Sequence, residues 1–353
     1  MSIGEIFKDA SETLDINSFS IINSNLNIHT NKDGIGNFDI AKKTDVVTTE
    51  VTNSNTISLS IQDYNIENLL FTYTDDSSKM KLVLKDLNHT GNGDFTEEIL
   101  DLDTKTKAII SMEMNEASYL KNVSLSLDAT FGINLKNNTY SFKNNKAFIN
   151  QLPIEFNGFI KLLGDGQKFD LTFKTPTSSF KNMLALVPEQ FSGNLSKVKT
   201  EGDFNLDGSI NGILNEKTIP KFDINIASKN AMFKYAELPK SVKNIDIDSK
   251  ISNSTGSIND TKININKLSF TLDKDVFNAS GKIYNIEKNP TINLTAKGVI
   301  NLANISEAYP IKLDKNMSGI LNTNITTSFD MNSVEKGNYE QIKNNGTLSL
   351  NKF

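Results

Sequence analysis

The chain has 353 residues, 37% of them hydrophobic, with 37 basic residues against 42 acidic ones and a formal net charge of −5. Every basic residue is lysine, there is no cysteine, and histidine occurs only at His29 and His89. Disulfides, thiolate metal sites and cysteine nucleophiles are therefore excluded. Nucleic acid is an unfavourable partner, because its binders need a basic field and arginine forks.

Two histidines leave little from which to build a metal site or a catalytic triad. No run of 18 apolar residues exists to cross a bilayer as a helix, and Met1-Ser2-Ile3-Gly4 lacks the basic start of a signal peptide. Apolar content is about 42% with glycine added, slightly under the usual globular range, which suits sheets buried on one side.

In chain order, Ile3, Ile6, Phe7, Ala10 and Leu14 fall on one face of a predicted short helix over residues 1–15, with Ser2 as its N-cap. Strand patterns follow at 18–29, 56–61, 69–74, 80–87 and 107–114, with Asp33-Gly34 and Asn92-Gly93 supplying turn chemistry. Val123–Leu135 alternates strictly over thirteen residues, longer than a typical strand. Leu152–Leu163 and Phe169–Lys174 form the next hairpin.

The period then changes. Phe180, Met183, Leu184 and Val187 are spaced as one helix face within 178–188, capped by Ser179 and stopped by Pro188. That helix reads as a plug over the sheet or as a gate. From Gly202 onward a glycine repeatedly precedes alternating residues, at Gly202, Gly298 and Gly346, which marks bends or close backbone approaches. Thr261–Leu302 is the clearest meander, and a further short helix is expected at 303–309 before Pro310.

A search for chemistry finds little. Asp101/Asp103 and Asp246/Asp248 are i, i+2 pairs on polar strand faces, and Asn88–Asp94 reads as a turn rather than a calcium loop. His29 has no visible partner in the sequence. No phosphate loop, nucleophile elbow or zinc-protease motif occurs, and no cofactor or metal is expected.

The fold class expected is mainly β: one continuous unit over 1–353, a long, curved, twisted antiparallel sheet with two or three short amphipathic helices. Roughly seventeen strands at 4.8 Å would make a sheet about 80 Å long. Such a sheet must close on itself or curl into an elongated groove with an apolar interior. An open apolar strip of that size needs a ligand, and acyl chains are the natural filler at about 0.8 kcal/mol per buried CH₂.

Several stretches, in order, resemble the AsmA family. They are Ile21–Ile28 with Asn31–Ile40, then Phe169–Pro176 and the following helix with Leu186-Val187-Pro188, and Met232–Val242. The resemblance covers nearly the whole chain and is similar above all to the Bacteroidota branch. It implies a bridge-like lipid-transfer protein, held in the inner membrane by an N-terminal helix, whose β-groove carries phospholipid through the periplasm towards outer-membrane components. It also implies that the present sequence is a fragment without that anchor. No catalytic residues come with the family.

The residues expected to line the groove are Leu125, Leu127, Phe131 and Phe156 in the first half. In the second half they are Leu171, Phe173, Phe204, Leu206, Ile263, Ile265, Phe270, Leu272, Ile292 and Leu294. The competing reading is a structural or adhesive surface protein whose sheets close into sandwiches. An enzyme comes third.

Overall fold

The computed structural model describes residues 14–38, 59–94, 97–114, 117–176, 178–184, 198–310 and 317–351. The fold is mainly β, with 18 strands and three short α-helices among those residues. The chain divides into two compact units, Met1–Asn150 with Phe156–Leu162, and Gln151–Glu155 with Leu163–Phe353.

In the first unit β1 (Leu14–Ile22) and β2 (Asn25–Thr30) lie in succession along β3 (Leu59–Asp75). The ladder continues antiparallel through β4 (Met80–Asn92), β5 (Ile99–Met114), β6 (Ala117–Asn134) and β7 (Thr139–Ile149). β8 (Leu152–Leu163) is divided between the units.

β1 and β2 run parallel to β3, with Ser18 opposite Asp63 and Ile28 opposite Tyr73. The sheet is therefore mixed, a correction to the antiparallel expectation. Alternation fixes the face a residue takes but not the direction of its neighbour. The chain between Thr30 and Leu59 is long enough for the return that a parallel pair requires. The strand pattern at 18–29 is broken at Asn23, whose φ is 49°. The patterns at 56–61 and 69–74 belong to the single strand β3. Leu14 starts β1 instead of closing a helix; the rest of the helix predicted over 1–15 lies outside the described residues.

In the second unit β9 (Gly166–Lys174) pairs with β11 (Val198–Leu214). Between them come β10 (Ser178–Ser179), also paired with β11, and α1 (Phe180–Leu184). An antiparallel meander follows: β12 (Lys221–Tyr235), β13 (Val242–Asn253), β14 (Lys262–Leu272), β15 (Asp275–Tyr284), β16 (Thr291–Asn301), β17 (Ile320–Asp330) and β18 (Lys343–Asn351). The helix expected at 303–309 is α2 (Ala303–Ala308). α3 (Met331–Glu335) starts at Asp330, whose side chain accepts from the Ser333 amide at 3.0 Å. Hydrogen bonds from Asn289 and Ser333 hold the Asp330 carboxyl below its usual range.

The strands carry β-bulges at residues in the left-handed region, where asparagine and aspartate are tolerated. Asn68, Asp86 and Asn122 in the first unit have φ of 50–51°, as do Asn230 and Asn244 in the second at 51°. The exposed N–H of three of them donates to a side chain on an adjacent strand: Asn68 to Asn88 Oδ1 at 3.3 Å, Asn122 to Ser111 Oγ at 3.0 Å, and Asn230 to Asp246 Oδ1 at 2.8 Å. Gly202, at φ 96°, makes the equivalent kink in β11, where a Cβ would meet the Ala231 backbone at 2.7 Å.

Aromatic rings also lie over cross-strand glycines. Tyr64 occupies the space a side chain at Gly91 would need. A Cβ on Gly208 would come within 2.7 Å of Phe173, and one on Gly298 within 3.1 Å of Phe277. The ring supplies the apolar surface the glycine lacks.

Within each unit the substantial strand contacts are between ladder neighbours. The described strands of each unit pair edge to edge within one sheet, and all three described α-helices belong to the second unit. Buried clusters are accordingly small. They are Leu69–Leu87–Ala108 and Leu100–Leu102–Ile133 in the first unit, and Phe180–Ala231–Ile245 in the second.

Candidate functional site

Directly opposed cross-strand residues share a face, so the ladder register sorts every strand residue by side. In the first unit Leu125 stands between Ala108 and Ile149, Leu127 between Thr106 and Ala147, and Phe131 between Leu102 and Phe142. The Phe131, Phe142 and Phe156 rings follow edge to face at 5.4 and 5.2 Å.

In the second unit Leu171 and Phe173 oppose Ile210 and Gly208, which in turn oppose Phe222 and Ile224. Leu206 faces Ile226. Ile263 lies between Ile251 and Ile283, which meets Ile292. Ile265 and Leu294 flank Gly281, and the Phe270 and Phe277 rings are 5.4 Å apart. Each unit therefore gathers its predicted residues on one apolar face.

The reverse faces are polar. Asp101 pairs with Lys143 at 2.6 Å, Asp103 accepts from Thr130 at 2.6 Å, and Asp246 pairs with Lys267 at 2.6 Å. The hydrogen bond from Lys267, followed by the one from the Asn230 amide, holds the Asp246 carboxyl low. These i, i+2 acids are the solvated face that the spacing predicts.

Two predicted lining residues are not available to a ligand. Phe204 is 0% exposed and Leu272 is 4% exposed. Phe204 lies opposite Ser178 of β10, next to α1, and Leu272 ends the strand against which α2 packs. Alternation assigns both to the correct face but says nothing about what covers it. α1 lies on that same face: Phe180, 1% exposed, is buried with Ala231 and Ile245, and Met183 packs beside them. The Leu184 side chain and Val187 lie outside the described residues.

Sequence reasoning missed one polar constellation on the apolar face of the first unit. Tyr64 Oη is 2.6 Å from His89 Nε2, and His89 Nδ1 is 2.8 Å from Thr106 Oγ1. The Tyr64 ring also stacks on Phe19 at 5.6 Å. His89 was hidden because Asn88–Asp94 read as a turn, whereas β4 continues through Asn92. The available signal was Leu87-x-His89-x-Gly91, which continues the alternation on one face. His29, without a visible partner in the sequence, pairs with Asp76 at 3.0 Å.

Burial lowers the proton affinity of His89 below that of an ordinary histidine and raises the Tyr64 pKa. Unfolded, His89 takes its proton below about pH 6.5. Folded, it stays neutral to lower pH, so the unfolded state binds more protons in that window. Stability is then fully retained above about pH 6.5 and falls as the pH drops towards the folded value. Melting curves between about pH 7.5 and 5.5 should show a larger loss for the wild type than for His89→Phe. Equal losses would assign the acid sensitivity to other groups.

A cavity of about 680 Å³ in the first unit has a mixed lining that includes Phe19 and Tyr64 beside Asp63, Asn92, Asp103 and Lys105. The candidate site is the continuous apolar face. Among the described residues no carboxylate is buried, and no three His, Asp or Glu side chains come together as metal ligands. Comparison of the chain with family models, with curated proteins and with solved structures finds no match.

Proposed function

We propose that the chain carries lipid, with acyl chains lying along the apolar sheet faces. The observation that supports this is a sheet with one apolar face on which no helix packs among the described residues of the first unit. Exposed apolar patches beyond a few hundred Å² mark binding surfaces, and hydrocarbon is the ligand that such a face recovers free energy by covering.

The resemblance to the AsmA family gives the reading its setting. Phospholipid would pass from inner to outer membrane through the periplasm, with the protein held at the inner membrane, in support of outer-membrane assembly. This role uses no catalytic group.

Native mass spectrometry of the purified chain, with organic extraction of whatever co-purifies, tests the proposal. Several phospholipids per molecule are expected. A stable, lipid-free monomer that takes up no phospholipid from vesicles would overturn it.

A further inference from the structure

The polar face of the second unit is not uniform. On β12–β14 its charges are matched in place: Lys250 reaches Asp223 at 2.6 Å, and Lys267 reaches Asp246 at 2.6 Å. On β15–β18 the same face carries Lys282, Lys297 and Lys343, all exposed and none in an ion pair among the described residues.

The ladder there is also more regular. Register shifts interrupt each successive pairing from β11 to β15, whereas β15–β16, β16–β17 and β17–β18 pair without one. Three successive rows therefore cross the four strands as a grid, repeating about every 4.8 Å across the strands and about every 6.8 Å along them. One row is Lys282, Asn293, Ser328 and Lys343. The next sets Thr295 against Thr326, their hydroxyls 3.1 Å apart, and the third sets Lys297 against Asn324. Every position in these three rows of four is Lys, Asn, Ser or Thr, and each is exposed or half-exposed. The grid ends at Val299 opposite Asn322 on one side and at Asp330 on the other. The Asp330 carboxylate is engaged by Asn289 and Ser333 at the start of α3.

We propose that this grid docks an acidic polysaccharide, a polymer of hydroxyl-bearing rings that carries carboxylate groups. Three lysines without a counter-charge supply the electrostatic attraction. Amides and hydroxyls, which both donate and accept, match the hydroxyls of sugars. The unbroken register presents these groups at a fixed repeat, as an extended polymer requires. A membrane surface is a poorer match, because elements that lie on lipid add bulky apolar or aromatic side chains to their basic ones, and the grid holds none. Nucleic acid is disfavoured by the absence of arginine and of rings on which bases could stack. The grid lies on the face opposite the proposed lipid surface, so the two readings stand or fall separately.

The test offers polygalacturonate, dextran of similar length and phosphatidylglycerol vesicles to the whole chain at low ionic strength. The wild type should bind polygalacturonate in preference to both other probes, with an affinity that falls as salt is added. Lys282→Gln with Lys297→Gln and Lys343→Gln should weaken that binding about tenfold, the combined size of three exposed ion pairs. Lys105→Gln with Lys107→Gln and Lys146→Gln removes the same charge from the first unit and should leave binding unchanged. Asn324→Ala with Thr326→Ala removes no charge and should still weaken it, and circular dichroism reports that each variant is folded. Equal losses in the two lysine triples would assign the binding to net charge alone and overturn the site. So would an unaffected Asn324/Thr326 variant, tighter binding to the vesicles, or a wild type that does not bind polygalacturonate.

Discussion

Leu125→Asp together with Leu127→Asp should give a folded chain that no longer retains lipid. Both side chains are partly exposed on β6, and no described helix packs on that strand. Their neighbours are Ala108, Thr106, Ala147 and Ile149 on the flanking strands. An aspartate at either position can keep its hydration, so the severe penalty for an unpaired buried charge does not arise. The same carboxylates would stand where acyl chains are proposed to lie, and each CH₂ kept in water forgoes about 0.8 kcal/mol. Circular dichroism and a thermal melt report the fold, and extracted lipid per molecule reports the cargo. A variant that unfolds would show that this face is a closed core.

Phe204→Ala should behave in the opposite way, losing about 3–5 kcal/mol of stability as a buried aromatic truncation does. Phe204 is fully enclosed, at 0% exposure, although it belongs to the same alternating series as Leu206. The short β10 segment pairs with it and α1 packs on the adjoining strands. Denaturant titration should show a lower midpoint at an unchanged slope. A loss under about 1 kcal/mol would mean that the ring is open to solvent or ligand, as its sequence position alone implies.

The two variants separate what alternation encodes from what covering elements decide. Leu125 and Phe204 look alike in the sequence, each an apolar residue flanked by polar ones. The difference arises from α1 and β10, whose docking on β11 and β12 is a tertiary event.

The bulges were more legible than the burial. At five of the slips two polar residues stand together: Glu67-Asn68, Lys85-Asp86, Lys121-Asn122, Lys229-Asn230 and Lys243-Asn244. A single inserted residue would turn the rest of a strand over. The left-handed asparagine or aspartate of the doublet absorbs the slip, so Ile66 and Leu69, or Leu84 and Leu87, stay on the same side. His89 inherits its place on the apolar face from the slip at Asp86, and reading Asn88 onward as a turn concealed it.

By itself the sequence determined the β class, most strand positions, the α2 helix and the face to which every predicted lining residue belongs. Those follow from period and turn chemistry, which act over a few residues. Only the tertiary structure decided that β1 and β2 run parallel to β3, that Phe204 and Leu272 are covered, and that Tyr64, His89 and Thr106 meet. Each of these depends on which distant strand or helix lies alongside, and a local pattern of polar and apolar residues carries no record of that choice.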